Sequence, residues 1–328
     1  MMPSFAYERP RSLEELGKLL ENLEAGSFLF SAGATDVISG LKSHPQSYPK
    51  TLISLTALSE LKGVRLLEKN RLSIGALTKL SEIAENALIL KQAAVVAQTA
   101  AKIASPQIRN RATIAGNILV NNRCSYFNQS RHNRLVHQFC FKAGGDICHL
   151  IPAAREGHSP LCRARFVSDL APVLLLLRAT LQLWGPDGYR KISLEDFYTP
   201  DGIRRNNLKS GEIITAIETD LSCAKNVTYE KLRIRNTLDF PSVGVAVMLN
   251  VTESMELAVC YTGVNTHPVL IKLSDDRKNG KAMIQAACDQ AKKSAQPLRQ
   301  DHFPPSYRKE MIAVLIHQNL QKLGWKND

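Results

Sequence analysis

Four cysteines stand within one stretch of the chain, Cys124, Cys140, Cys148 and Cys162, in the spacing C-x15-C-x7-C-x13-C. Four thiolates make a full ligand set for a [4Fe–4S] cluster or for a structural zinc ion. Zinc sites usually draw their ligands from closely paired cysteine knuckles, and no such pair occurs in the sequence. Wide spacing around one loop suits a cuboidal cluster better, with zinc, or free or disulfide-bonded thiols, as the open alternatives. The remaining cysteines, Cys223, Cys260 and Cys288, are dispersed. Cys260 lies in an apolar run and reads as a buried core thiol.

A second chemistry flanks the cysteines. Thr113-Ile114-Ala115-Gly116-Asn117 follows Pro106, and Ser31-Ala32-Gly33-Ala34-Thr35-Asp36 follows the apolar run Phe28-Leu29-Phe30. Small residues let backbone N–H groups approach an anion closely. Neither loop fits the dinucleotide fingerprint or the P-loop pattern. Two such loops, far apart in sequence, suit a pyrophosphate held between them.

The residues 107–117 resemble the second FAD loop of the flavoprotein subunit of the molybdenum hydroxylases, the xanthine dehydrogenase and carbon monoxide dehydrogenase family. Ala32-Gly33-Ala34-Thr35-Asp36 is similar to the first FAD loop of that family, usually Ala-Gly-Gly-Thr-Asp. Ser168-Asp169-Leu170-Ala171-Pro172 resembles the segment whose Asp meets the ribityl chain. Lys231, Arg235, Asp239, Phe240 and Pro241 match the family's Lys-x3-Arg-x3-Asp-Phe-Pro signature. Ala34 and Ala115 depart from the pattern, standing where glycine is usual. The resemblance implies that FAD is held by Phe30, Ser31, Ala32, Gly33, Ala34, Thr35, Asp36 and Val37, by Thr113, Ile114, Ala115, Gly116 and Asn117, and by Asp169. It further implies that Ile103, Ile214 and Lys231 line the site, with Lys231 near the flavin pyrimidine edge. Without it, Lys231 reads as a solvated strand lysine. No residue is assigned to substrate chemistry.

Asn117 and Asp169 stand 52 positions apart, much further than in most members of the family. The surplus, about residues 119–166, holds the four cysteines. An insertion of this kind resembles the β subunit of the 4-hydroxybenzoyl-CoA reductase family and its [4Fe–4S] cluster, with the third spacing longer here. Between Ile118 and Ser168 there are seven Lys or Arg against two Asp or Glu, and four of the eight histidines. That imbalance suits a docking face for an acidic electron carrier such as a ferredoxin, centred on Arg131, Arg134 and Lys142. It also supplies cations that would raise a cluster potential. His149, directly after Cys148, is placed to meet a cluster sulfur.

The elements that must position these residues read as α+β. Ser12 caps a helix whose apolar stripe is Leu13, Leu16, Leu19, Leu20 and Leu23. Strands at 28–30 and 52–55 complete a first unit. A hairpin over 66–74, a short helix over 78–86 and a longer one over 88–104 lead to the second loop. A core helix over 171–178, a hairpin about Gly185-Pro186-Asp187-Gly188 and a strand over 212–218 follow. From about residue 226 the pattern predicts three antiparallel strands, 227–234, 243–251 and 257–264, then helices over 280–293 and 306–323. The expected division is 1–57 and 58–224 as two FAD-binding subdomains of the PCMH type, with FAD in the cleft between them, and 225–328 as a C-terminal domain.

At 328 residues with 44% apolar residues, the chain suffices for two or three ordinary cores. A net charge of +12 favours anionic ligands or acidic partners. The cations are dispersed and aromatics are 6%, which argues against nucleic acid. No run of 18 apolar residues predicts a membrane span, and no apolar signal core opens the chain. A cytoplasmic location with reduced thiols is the expectation. The resemblance implies an oxidoreductase subunit that joins a molybdopterin-containing large subunit and a [2Fe–2S] small subunit, as a dimer of heterotrimers, and passes electrons to or from an external carrier. The activity it implies first is reductive removal of a phenolic hydroxyl from an aryl-CoA, driven by low-potential electrons, with hydroxylating dehydrogenation of purines, aldehydes or N-heterocycles as the alternative within the class. A zinc-stapled FAD-binding scaffold is the reading from another class.

Overall fold

The structure, a computed structural model, describes residues 4–43, 49–151, 161–275 and 279–325. Helix α1 (Leu13–Glu21) starts where Ser12 Oγ accepts from the Glu15 N–H at 3.1 Å. The Glu15 carboxylate turns back to the Arg11 N–H at 2.7 Å. The stripe of α1 buries Leu16 and Leu20 against Ile53, Leu55, Leu58 and Ile213. Strands β1 (Ala6–Glu8), β2 (Phe28–Ser31) and β3 (Thr51–Ser54) form a parallel sheet in the order β1-β3-β2. The chain between β2 and β3 passes through the first small-residue loop and helix α2 (Val37–Ser43). The sequence reading had neither β1 nor α2.

The second sheet is antiparallel and five-stranded. It comprises β4 (Val64–Leu67), β5 (Arg71–Gly75), β6 (Thr180–Gly185), β7 (Gly188–Ser193) and β8 (Ile213–Asp220), in the order β4-β5-β8-β6-β7. Lys69 and Asn70, each at φ 56°, turn the first hairpin in the geometry that matches strand twist. Helices α3 (Leu80–Glu85), α4 (Ala87–Gln92) and α5 (Ala94–Ala101) pack on this sheet. One helix was predicted over 88–104; it breaks instead at Ala93, which leaves the helical region at φ −146° and ψ 57° and is fully buried. No Gly or Pro marks that break, so packing sets it rather than local propensity. The short helices α6 (Pro106–Arg109) and α7 (Ile114–Ile118) carry the second loop, and α8 (Arg131–Val136) lies in the cysteine stretch.

Helix α9 (Leu170–Leu176) is the centre of the molecule, with all seven residues buried. Each large apolar side chain so placed contributes about 2 kcal/mol. A short helix, α10 (Leu194–Phe197), flanks it. The third sheet has four antiparallel strands rather than the three expected: β9 (Val227–Leu232), β10 (Val243–Val251), β11 (Met255–Thr262) and β12 (Val269–Asp275), in the order β12-β11-β10-β9. The fourth is a mostly half-exposed edge strand behind Pro268, too weakly patterned to read. Alternation divides the two faces. Val243, Val245, Val247, Val259 and Tyr261 meet α11 (Gly280–Ser294) and α12 (Pro305–Lys322), whereas Ala246, Met248, Ala258 and Cys260 join the core around α9. Cys260 is fully buried there, as expected of a core thiol.

Candidate flavin site and cysteine cavity

The two small-residue loops touch. A Cβ on Gly33 would lie 1.9 Å from the Arg111 carbonyl oxygen, so only glycine lets the first loop lie against the backbone of the second. Ala34, the next residue, sits at φ 62°. That left-handed conformation explains why glycine is usual there, and it costs alanine about 1 kcal/mol. Ala34→Gly should leave thermal stability unchanged or raise it by up to about 1 kcal/mol, because glycine also gains unfolded-state freedom. A lowered melting temperature would contradict this reading of the turn.

The second loop is anchored from below. Ile114 and Ala115 donate their N–H groups to the Thr78 and Ala76 carbonyls at 3.0 and 3.2 Å. The Gly116 N–H donates to Thr113 Oγ1 at 3.2 Å. By contrast, the N–H groups of Gly33, Ala34, Thr35, Asp36 and Val37 have no hydrogen-bond partner among the described residues. The first loop therefore offers the open donors, and the second offers the exposed, side-chain-free surface of Gly116. Ile103, Ile114 and Ile214 point into the core and are almost wholly buried.

Asp36, at the end of the first loop, is paired with the Arg123 guanidinium and also accepts from the Asn121 N–H at 3.4 Å. Arg123 in turn lies 4.6 Å from the centre of the Phe240 ring. At the second loop, Asn117 Oδ1 accepts from Ser168 Oγ at 2.8 Å and from the Leu170 N–H at 3.3 Å. Asp169 is thereby brought next to that loop although it stands 52 positions from Asn117. Its Oδ1 meets Lys231 Nζ at 2.8 Å and accepts from the Tyr229 hydroxyl at 2.8 Å. The side chains of Asp169 and Lys231 are each only 2% exposed, so Lys231 is not a solvated strand lysine. Burial, then the Asp169 charge, pushes the Tyr229 phenol well above its ordinary range. Asp239, in the same signature, is held low by its hydrogen bonds from Arg235.

Cys124, Cys140, Cys148 and Cys162 all line one cleft, with Phe127, Ile147 and Leu150. Arg123 and Arg165 exchange backbone hydrogen bonds at 2.8 and 2.9 Å, closing the neck of the stretch. The Cys162 N–H donates to Asp201 Oδ1 at 3.0 Å, and its carbonyl accepts from the Gly202 N–H at 2.9 Å. Burial raises the Cys124 thiol and pushes Cys162 up to about 11. Among the described residues, no group of three or more His, Cys, Asp or Glu side chains is placed to hold a metal ion. The four thiols share this cleft, and a set of four is the number a thiolate-bound group would need. Residues 155–160, including His158, lie outside the described residues.

The expected docking face needs correction. Arg131 is exposed, but Arg134 is buried and donates to the Phe127, Gln129 and Ser43 carbonyls. Lys142 turns into the cysteine cleft, where burial pushes its ammonium down to about 8. His149 stacks on Tyr126 with ring centres 4.9 Å apart, and its Nε2 faces the Gln138 carbonyl at 3.0 Å.

The fold and these loops define a flavoprotein class. A family model described as "FAD binding domain in molybdopterin dehydrogenase" matches residues 3–219, and the chain belongs to that family. It is 30% identical to the aldehyde oxidoreductase FAD-binding subunit PaoB of Escherichia coli (strain K12), over 96% of this chain and 98% of that one. It is 27% identical to the glyceraldehyde dehydrogenase medium chain of Sulfolobus acidocaldarius, over 98% and 99% of the two chains. In fold it is similar to a crystal structure of Cu,Mo-CO dehydrogenase in its cyanide-inactivated form, with a TM-score of 0.76, 21% identity, and coverage of 98% and 99%. No helix among the described residues is long and apolar enough to cross a membrane.

Arg123, Tyr229, Asp201 and Lys142 were not in the sequence-based site. Tyr229 had a signal, since it lies two residues before Lys231 and so on the same strand face. Arg123 also had one, as the cation directly before Cys124.

Proposed function

We propose that the chain is the FAD- and [4Fe–4S]-containing electron-transfer subunit of a molybdenum hydroxylase-family oxidoreductase. The observation that carries this reading is the gathering of four cysteines around one cleft, whose neck residue Arg123 holds Asp36 of the first flavin loop. Bound FAD would exchange electrons in pairs or singly, and a four-iron cluster would carry them one at a time. Phe30 to Val37, Thr113 to Asn117 and Asp169 would hold FAD, with Ile103, Ile214 and Lys231 behind it. Cys124, Cys140, Cys148 and Cys162 would hold the cluster. The buried Lys231 fixes a positive charge beside Asp169, where it would favour negative charge on a reduced flavin. Relatives named as medium chains support a larger molybdopterin-containing partner and a smaller [2Fe–2S] one. The three sheets support boundaries near residues 57 and 224.

Relatives named for aldehyde, glyceraldehyde and carbon monoxide oxidation favour hydroxylating dehydrogenation over reductive chemistry on an aryl-CoA. Anaerobic mixing of the assembled complex with an aldehyde should bleach the flavin absorbance, and mixing with a phenolic aryl-CoA plus a low-potential donor should not turn over. The reverse outcome would establish the reductive reading. A basic exterior around Arg131 suits an acidic ferredoxin as external carrier in a cytoplasmic setting. Charged docking is screened by salt. Electron exchange with a ferredoxin should slow at least about tenfold between low and high ionic strength, and further in Arg131→Glu. A rate indifferent to both would place this face against a partner subunit.

A further inference from the structure

Lys142 is the least expected residue of the cysteine cleft. It follows Cys140 by two positions on a short turn, Phe141–Ala143, and lines the cleft with all four cysteines. Its Nζ lies 5.1 Å from the centre of the Phe127 ring and donates to the Gly202 carbonyl. No carboxylate among the described residues forms an ion pair with it. One acid that favours its charge, Asp201, is already engaged by the N–H groups of Cys162, Ile203 and Arg204 at 3.0, 3.1 and 3.2 Å. Arg205 repels it. An ammonium drawn largely out of water with only a ring face and a carbonyl as direct partners is costly, and such groups are usually paired with an anion. The cleft it lines holds all four cysteines, and Gly202, which accepts its hydrogen bond, lies against the Cys162 sulfur.

We infer that Lys142 is the counter-charge of the cysteine cleft, a fixed cation held against the thiolates so that the group they bind is easier to reduce. This rests on the proposed iron–sulfur reading. One-electron reduction of a cluster adds one unit of negative charge and no bond is made or broken. A cation in the same low-dielectric cleft stabilises that added charge, and net charge around a cluster is one of the determinants of its potential. The Phe127 face and the Gly202 carbonyl fix where the charge sits, so Lys142 acts through position rather than by ligation.

The test uses the assembled complex carrying wild-type, Lys142→Met or Lys142→Arg chains. Iron content is measured first. A dithionite titration is then followed by low-temperature electron paramagnetic resonance for the cluster and by absorbance for the flavin. In Lys142→Met the reduced-to-oxidised ratio of the cluster at a fixed potential should fall about tenfold, which is about 59 mV for a one-electron couple. Lys142→Arg should stay within about twofold of wild type by keeping the charge, and the flavin couple should not move. If Lys142→Met fails to assemble, Lys142→Gln, which keeps the hydrogen bond and drops the charge, is read in its place. An iron-replete neutral variant with an unchanged ratio would overturn this inference alone. An iron-free wild-type complex would overturn the iron–sulfur reading and this inference with it.

Discussion

Cys140→Ala and Cys162→Ala should each remove all cluster iron while leaving bound flavin at the wild-type level. Cys162 is the more informative of the two. Its spacing from Cys148 is the longest departure from the resembling family, yet it lines the same cleft as the other three. Its backbone is clamped by Asp201 and Gly202, and a Cβ on Gly202 would come within 2.8 Å of its sulfur. Ligand binding supplies folding free energy to a loop that converges on a metal group. Losing one thiolate should therefore loosen residues 124–162 and raise their hydrogen exchange. The second loop should persist, since the Ile114 and Ala115 amides bond the Thr78 and Ala76 carbonyls between β5 and α3, and Asn117 holds Ser168 and the start of α9. Cys260→Ala is the control: it removes a fully buried sulfur from the core and should cost about 1 kcal/mol or more of stability with iron unchanged. Full iron in Cys162→Ala would remove Cys162 from the ligand set and turn attention to His158.

Gly33→Ala should abolish flavin retention and destabilise the fold. The added methyl would meet the Arg111 carbonyl oxygen at 1.9 Å and its carbon at 2.5 Å. Both contacts are backbone, so no side chain can swing aside and the loops must separate. Overpacking of this kind costs about 1–3 kcal/mol. Gly116→Val separates packing from ligand exclusion. A Cβ at Gly116 meets only Thr113 Oγ1, at 3.1 Å, and the residue is exposed. That variant should stay soluble and lose at most about 1 kcal/mol of stability, yet it should fail to retain FAD. Flavin titration and thermal unfolding of both variants check the pair. Normal flavin content in Gly116→Val would refute the second loop as part of the site.

Much of this arrangement is legible in residue types. The cysteine set and the two small-residue loops rest on residues with few alternative uses, whereas Asp169 and Lys231 were marked only by the family resemblance and their pairing with each other was not marked at all. What the sequence hides is direction. Arg134 and Lys142 lie in a basic, polar stretch, where cations are ordinarily solvated, and both turn inward. Nothing local marks this, because the groups that receive them, the Ser43 and Gly202 carbonyls, are distant in the chain. The break at Ala93 and the edge strand β12 were missed for a related reason. One is set by packing without a Gly or Pro, and the other has one face that is neither core nor clearly solvent. Arg123 shows the same limit from another side. Its bond to Asp36 spans 87 positions and links flavin loop to cysteine stretch, a relation no local pattern carries.

The central claim is that one chain carries both a flavin and an iron–sulfur cluster. Its most direct test is the cofactor content of the natively purified complex, by metal analysis, acid-labile sulfide and native mass spectrometry of this subunit. The account predicts one FAD with about four irons and four sulfides per chain, in addition to any iron on partner subunits. A subunit holding flavin with one zinc and no iron would contradict it.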